Sequence, residues 1–91
     1  MVAHIGRQPA DPTMPTIFES DRVLHLYGDL SLVTDIDSIW AEAIAWQGRI
    51  DVLVNNAGVY AGSPLEEFIE WESGWKTNLS INLEAPAHFC R

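Results

Sequence analysis

The sequence predicts an α/β fold built on a parallel sheet. Two apolar, β-forming runs at residues 22–28 and 50–55 are separated by a helical pattern at 35–47, and no hairpin turn joins them. Strands joined through a helix pair in parallel and are covered on both faces, so each reads as a nearly continuous apolar run. The second run breaks abruptly from Val52, Leu53 and Val54 into Asn55, Asn56, Ala57 and Gly58. In such sheets ligands bind beyond the carboxyl ends of the strands, which places Asp29 and residues 55–58 on the binding edge.

Composition sets outer bounds on function. The chain has 91 residues, 47% hydrophobic and 20% charged, a globular composition in a length that suits one small domain. A formal charge of −8 leaves no basic face for nucleic acid or an anionic membrane, and neither is expected as a partner. Cys90 is the only thiol, so there is no intrachain disulfide framework and no thiolate zinc site; it is expected to be packed rather than reactive. No leader pattern follows Met1 and no stretch reaches a membrane span, so the expected location is cytoplasmic.

In chain order, Val2, Ala3, His4 and Ile5 precede Gly6 as the end of a strand. Pro9, Pro12 and Pro15 exclude one long helix from residues 7–21, an irregular crossover with room for a short helix at 15–20. The run at 22–28 alternates and ends as a strand at Gly28. Ile36, Ile39, Trp40, Ala43 and Ile44 repeat at helical spacing, with Thr34 expected as the cap, Asp35 and Asp37 at the positive end, and Gly48 as the stop. After the strand at 50–55 and a turn at 61–64, residues 65–70 suit a short acidic helix. Residues 71–91 suit a longer one with a buried stripe of Trp75, Leu79 and Leu83, and Asn82 inside it.

Asn82 stands out on chemistry alone. Pro86 has no amide hydrogen, so it cannot serve the Asn82 carbonyl four residues back, and a spare acceptor on a buried face suits an ordered water. The plainer alternative is a kinked helix with the Asn82 amide satisfied by neighbouring backbone. His4, His25 and His88 lack metal-ligand spacing, and no metal site is expected. Glu66, Glu67, Glu70 and Glu72 read as a solvated helix face.

Taken together, GDL at 28–30, NNAG at 55–58, and Trp75 seven residues before the Asn of INL at 81–83 resemble the short-chain dehydrogenase/reductase family. The resemblance covers roughly residues 23–91. It implies a partial Rossmann-type doubly wound parallel sheet of about three strands and two main helices, a single NAD(P)-binding domain over 1–91. It also implies hydride transfer between NAD(P)(H) and an alcohol or ketone. Carried onto matching positions, Asp29 would meet the adenine with Leu30 beside it. Asn55, Asn56, Ala57 and Gly58 would border the cofactor, and Asn82 would hold the water of a proton relay. Arg7 lies where relatives read the ribose; a basic residue suits a 2′-phosphate, which favours NADP over NAD, although a solvated loop arginine is nearly as good a reading. Relatives use the last helix for dimer packing, which implies a homo-oligomeric parent.

Two family features are missing from these 91 residues. There is no glycine-rich turn to hold a pyrophosphate, and neither Tyr27 nor Tyr60 begins a YxxxK pattern, so no general acid is present. With the family's strand order 3-2-1-4, the strand at 50–55 also lacks its parallel neighbour. The chain is therefore read as an internal fragment of an alcohol/ketone oxidoreductase, inactive alone and doubtful as an independent folding unit. The alternative is a non-catalytic truncated relative acting as a nucleotide-binding or interaction module. An epimerase or dehydratase of the extended family is disfavoured by NNAG. The substrate is not legible.

Overall fold

A computed structural model describes residues 1–6 and 21–91. The expected irregular crossover, the short helix within it and Arg7 fall at 7–20, outside the described residues. Strand β1 (Val2–Gly6) pairs in parallel with β2 (Val23–Tyr27), Val2 opposite Val23 and Gly6 opposite Tyr27. The apolar run before Gly6, expected as a strand end, is a five-residue strand matched in length to its neighbour.

Helix α1 (Val33–Gln47) follows β2 and lays Ile36, Ile39 and Ala43 into the core. Its spacing was legible, but its start was not. The cap position is Leu32 with no side-chain bond, and Thr34 lies inside the first turn. The carboxylate of Asp35 instead reaches back, its Oδ2 accepting from the Asp29 amide at 2.9 Å. At the other end Gly48 adopts a φ of 79°, and its amide donates to the Ile44 carbonyl, a left-handed stop that favours glycine.

The third expected strand does not form. Residues 50–60 are irregular, with Val52 75% and Val54 76% exposed. The sheet among the described residues has two strands instead of three. The cause is physical: a strand is defined by its ladder, and apolar residues suited to a buried central strand remain in solvent when no neighbour pairs with them.

The last helical stretch is one body. Helix α2 (Phe68–Leu79) runs through a π-turn (Ser80–Glu84) into α3 (Ala85–Cys90), so the two expected helices merge and 65–67 lies before them in a turn. The expected stripe faces outward: Trp75, Leu79 and Leu83 are 47%, 41% and 63% exposed. The packed face is Gly74, Asn78, Ile81, Ala85 and Phe89, which also repeats at three and four. Small residues decide the choice, because Gly74 and Ala85 let the helix approach its neighbours closely.

The core of the described residues is Leu26, Ile36, Ile39, Ala43, Ala85 and Phe89. It joins β2, α1 and α3, with the Trp40 and Phe89 rings 6.1 Å apart.

Candidate functional site

Three segments meet beside β1: the loop after β2, residues 55–61, and the turn of helix around Asn78 and Asn82. Each is fixed by side-chain bonds to backbone. In the first, Asp29 Oδ1 accepts from the Ser31 amide at 2.9 Å and from Ser31 Oγ at 2.7 Å, an aspartate turn that closes the loop at the foot of α1. Gly28 packs close to α1 here: a Cβ would lie 2.8 Å from Ile39 Cδ1, the movable end of that side chain.

The second and third segments are joined by two matched clamps. The Val59 amide donates to Asn82 Oδ1 at 2.8 Å, and Asn82 Nδ2 donates to the Val59 carbonyl at 2.8 Å. Four residues earlier on the helix, Asn78 Oδ1 accepts from the Ala61 amide at 2.8 Å and Nδ2 donates to the Ala61 carbonyl at 2.9 Å. Four helical residues advance about 6.0 Å and two extended residues about 6.6 Å, so asparagines at i and i+4 match alternate residues of an extended chain running the other way. Sequence reading missed Asn78. Its signal was present, because it lies one turn before Asn82 on the same face.

The π-turn coincides with Asn82. The Ala85 amide bonds to the Ser80 carbonyl, five residues back, and Pro86 brings no donor to the next turn. The Asn82 side chain is bonded to the Val59 backbone, while its carbonyl lies in the widened turn of the helix.

Of the other expected site residues, Leu30, Asn55, Asn56 and Ala57 line one cavity of about 380 Å³, together with Ile81, Ala85 and Pro86. Asp29 is not among its walls. Gly58 lies under the clamp, where a Cβ would stand 3.6 Å from Asn82 Oδ1. Asn55 Nδ2 donates to Cys90 Sγ at 3.7 Å, and Cys90 is exposed rather than packed. The site therefore offers amides, backbone groups and one carboxylate. Amide side chains orient a ligand or a water but do not themselves exchange protons near neutral pH.

A parallel strand pair with a groove beside it, bordered by Asn55, Asn56 and Ala57 and by the last helix, is a partial Rossmann-like α/β arrangement. The profile of the short chain dehydrogenase family matches residues 2–91, and the chain belongs to that family. It is similar to a tropinone reductase homolog of Arabidopsis thaliana, 39% identical over 46 residues, or 50% of this chain and 16% of that protein. It is also similar to a hydroxy-methyl-oxo-hexahydroindene-carboxyl-CoA reductase of Mycobacterium tuberculosis, 34% identical over 62 residues, covering 68% of this chain and 23% of that protein. The alignments thus span less than a quarter of either relative. No solved structure matches the chain significantly. No helix among the described residues is long and apolar enough to cross a membrane.

Proposed function

We propose that these residues form the cofactor-bordering part of an NAD(P)(H)-dependent reductase or dehydrogenase acting on a small alcohol or ketone. The observation that carries this reading is the Asn82 clamp on Val59. It ties the segment directly after Asn55, Asn56, Ala57 and Gly58 to the helix bearing the family's catalytic asparagine. Leu30, Asn55, Asn56 and Ala57 fit the adenosine side of a dinucleotide, since they share a cavity of about 380 Å³ that combines apolar walls with amide groups. Asp29, at the end of the same loop as Leu30, is proposed to meet the adenine. The nicotinamide would supply the hydride.

The chain's own contribution is to position. Asn82 holds Val59 through its side chain, and its carbonyl, which Pro86 cannot serve, is the proposed anchor for a relay water. The 91 residues carry no tyrosine–lysine pair, so they are inactive by themselves. NADP is preferred to NAD on the strength of Arg7, and the parent is a homo-oligomer built through the last helix.

A chimera tests this reading. The matching stretch of the mycobacterial reductase is replaced by residues 2–91 of this chain, and reduction of that enzyme's substrate is followed through nicotinamide absorbance. The expected result is retained turnover, a loss of about 100-fold for Asn82→Leu in the chimera, comparable to other catalytic proton-transfer losses, and none for the isolated chain. A folded chimera indifferent to Asn82→Leu overturns the assignment, as does turnover by the 91 residues alone.

A further inference from the structure

Residues 58–62 join no strand, and three successive turns of the last helix hold them instead. A Cβ on Gly74 would meet the Gly62 carbonyl oxygen first, so helix and segment come together there backbone against backbone. One turn on, Asn78 exchanges two hydrogen bonds with Ala61, and a turn further Asn82 exchanges two with Val59. Positions 74, 78 and 82 are spaced by four on one helix face, which makes the three contacts a single seam.

The two clamps share a geometry but not their surroundings. The bonds between Asn78 and Ala61 are half-buried, whereas those between Asn82 and Val59 are exposed. A hydrogen bond open to water exchanges with solvent at little net cost, while breaking a shielded one leaves polar groups poorly satisfied. The Asn78 clamp is therefore the firmer of the two. By fixing Ala61 it keeps Val59 within reach of Asn82, which turns closure of the second clamp into a local step. The other end of the segment runs directly into Asn55, Asn56 and Ala57, which line the cavity of about 380 Å³. Their own tie to the helix is weak, since Asn55 Nδ2 donates to a thiol sulfur, Cys90 Sγ, at 3.7 Å. The Asn82 carbonyl, by contrast, is set by the backbone of the π-turn, where the Ala85 amide bonds to the Ser80 carbonyl.

We propose that Asn78 is a positioning residue for the nicotinamide cofactor: by clamping Ala61 it steadies the Asn82 clamp on Val59 and holds Asn55, Asn56 and Ala57 where a dinucleotide meets them. The inference rests on the oxidoreductase reading above and divides its labour between two asparagines one turn apart. Asn82 acts on turnover through a carbonyl that the helix itself places. Asn78 acts on cofactor affinity through the segment it holds. Without its clamp only a fraction of molecules keeps that wall in place, and the apparent dissociation constant rises by the inverse of the fraction.

Two measurements test it. In the full 91-residue chain, amide exchange read by NMR follows Asn78→Leu, which keeps size but makes no hydrogen bond. Exchange at Val59, a residue Asn78 does not bond, is expected to quicken about threefold or more, whereas Asn82→Leu should change exchange at Ala61 less. In the chimera described above, binding of NADPH and NADH is titrated by nicotinamide fluorescence. Asn78→Leu is expected to raise Kd about tenfold, and Asn78→Asp, which keeps the acceptor for the Ala61 amide, to raise it less. At saturating cofactor kcat should fall far less than with Asn82→Leu. Unchanged exchange at Val59, an unchanged Kd in a folded Asn78→Leu chimera, or equal losses of kcat for the two asparagines each overturns the proposal. If Asn78→Leu does not fold, Asn78→Asp decides, a raised Kd supporting the proposal and an unchanged one overturning it. Failure of the oxidoreductase reading looks different: Asn82→Leu then leaves turnover untouched, while exchange at Val59 still reports whether Asn78 steadies the second clamp.

Discussion

The carboxamide of Asn82 exchanges two hydrogen bonds with the backbone of Val59, each 2.8 Å long, and so behaves as a strand partner mounted on a helix. This pairing needs both a donor and an acceptor. Asn82→Asp keeps size but sets a carboxylate oxygen against the Val59 carbonyl, losing one bond and adding repulsion. The expected cost is about 0.5–1.5 kcal/mol in urea unfolding, since both bonds are exposed to solvent, with faster amide exchange at Val59. Asn78→Asp should act alike at Ala61. The double variant should lose less than the sum, because one released segment frees both clamps.

Two glycines separate a rigid close approach from a soft one. A Cβ on Gly74 would lie 2.2 Å from the Gly62 carbonyl oxygen and 3.1 Å from Ser63 Cβ, so the backbone itself must retreat. On Gly28 the closest atom is the tip of Ile39, which can rotate away. Gly74→Ala is therefore expected to cost about 1–3 kcal/mol through overpacking, despite alanine's better helix propensity. Gly28→Ala should cost clearly less. Thermal unfolding of the two variants side by side checks the order, and equal losses would contradict it.

What the sequence made legible was local. β2, the spacing of α1 and the stop at Gly48 each follow from residues adjacent in the chain. The run at 50–55 has the composition of a strand but not the state, because that state depends on a neighbour that composition cannot supply. The buried face of the last helix was misread because apolar residues lie on both faces, and the small Gly74 and Ala85, not the large Trp75 and Leu79, determine which packs. Similarly, Asp35 displaced Thr34 at the start of α1 because its carboxylate can reach the Asp29 amide. At the site, the Asn-Asn-Ala-Gly motif and Asn82 were visible as motifs. Asn78 belongs to no motif; its one signal is its place a turn before Asn82 on the same face, and its role exists only when helix and extended segment lie side by side.

The outward stripe of the last helix makes a separable prediction about assembly. Phe68, Trp71 and Trp75 form a chain of ring contacts 6.1 and 6.2 Å apart, continued by exposed Leu79 and Leu83. An apolar helix face of this kind suits a second helix. Leu79→Glu with Leu83→Glu touches none of the core, so stability should change by about 0.5 kcal/mol or less. Sedimentation should then report a smaller species than the parental sequence gives, with an unchanged helical circular dichroism. Loss of helicity instead would mean that the stripe packs within the chain.

Phe89 should be the costliest single loss in α3. It is 7% exposed, touches Trp40 of α1, and lines both cavities, so it is floor to the groove and wall to the site at once. Next to it, Arg91 binds Asp37 Oδ1 at 2.9 Å, but both side chains are about 60% exposed, where solvent and salt leave an ion pair little net worth. The two contacts join the same pair of helices by unlike means and can be ranked. Phe89→Ala is expected to cost about 3–5 kcal/mol, because transfer energy is lost and the open groove cannot close over the gap. Arg91→Ala should cost under about 0.5 kcal/mol and less still in high salt. Urea titrations at two ionic strengths measure both, and a larger loss for Arg91→Ala would mean that charge, not apolar packing, holds α3 on α1.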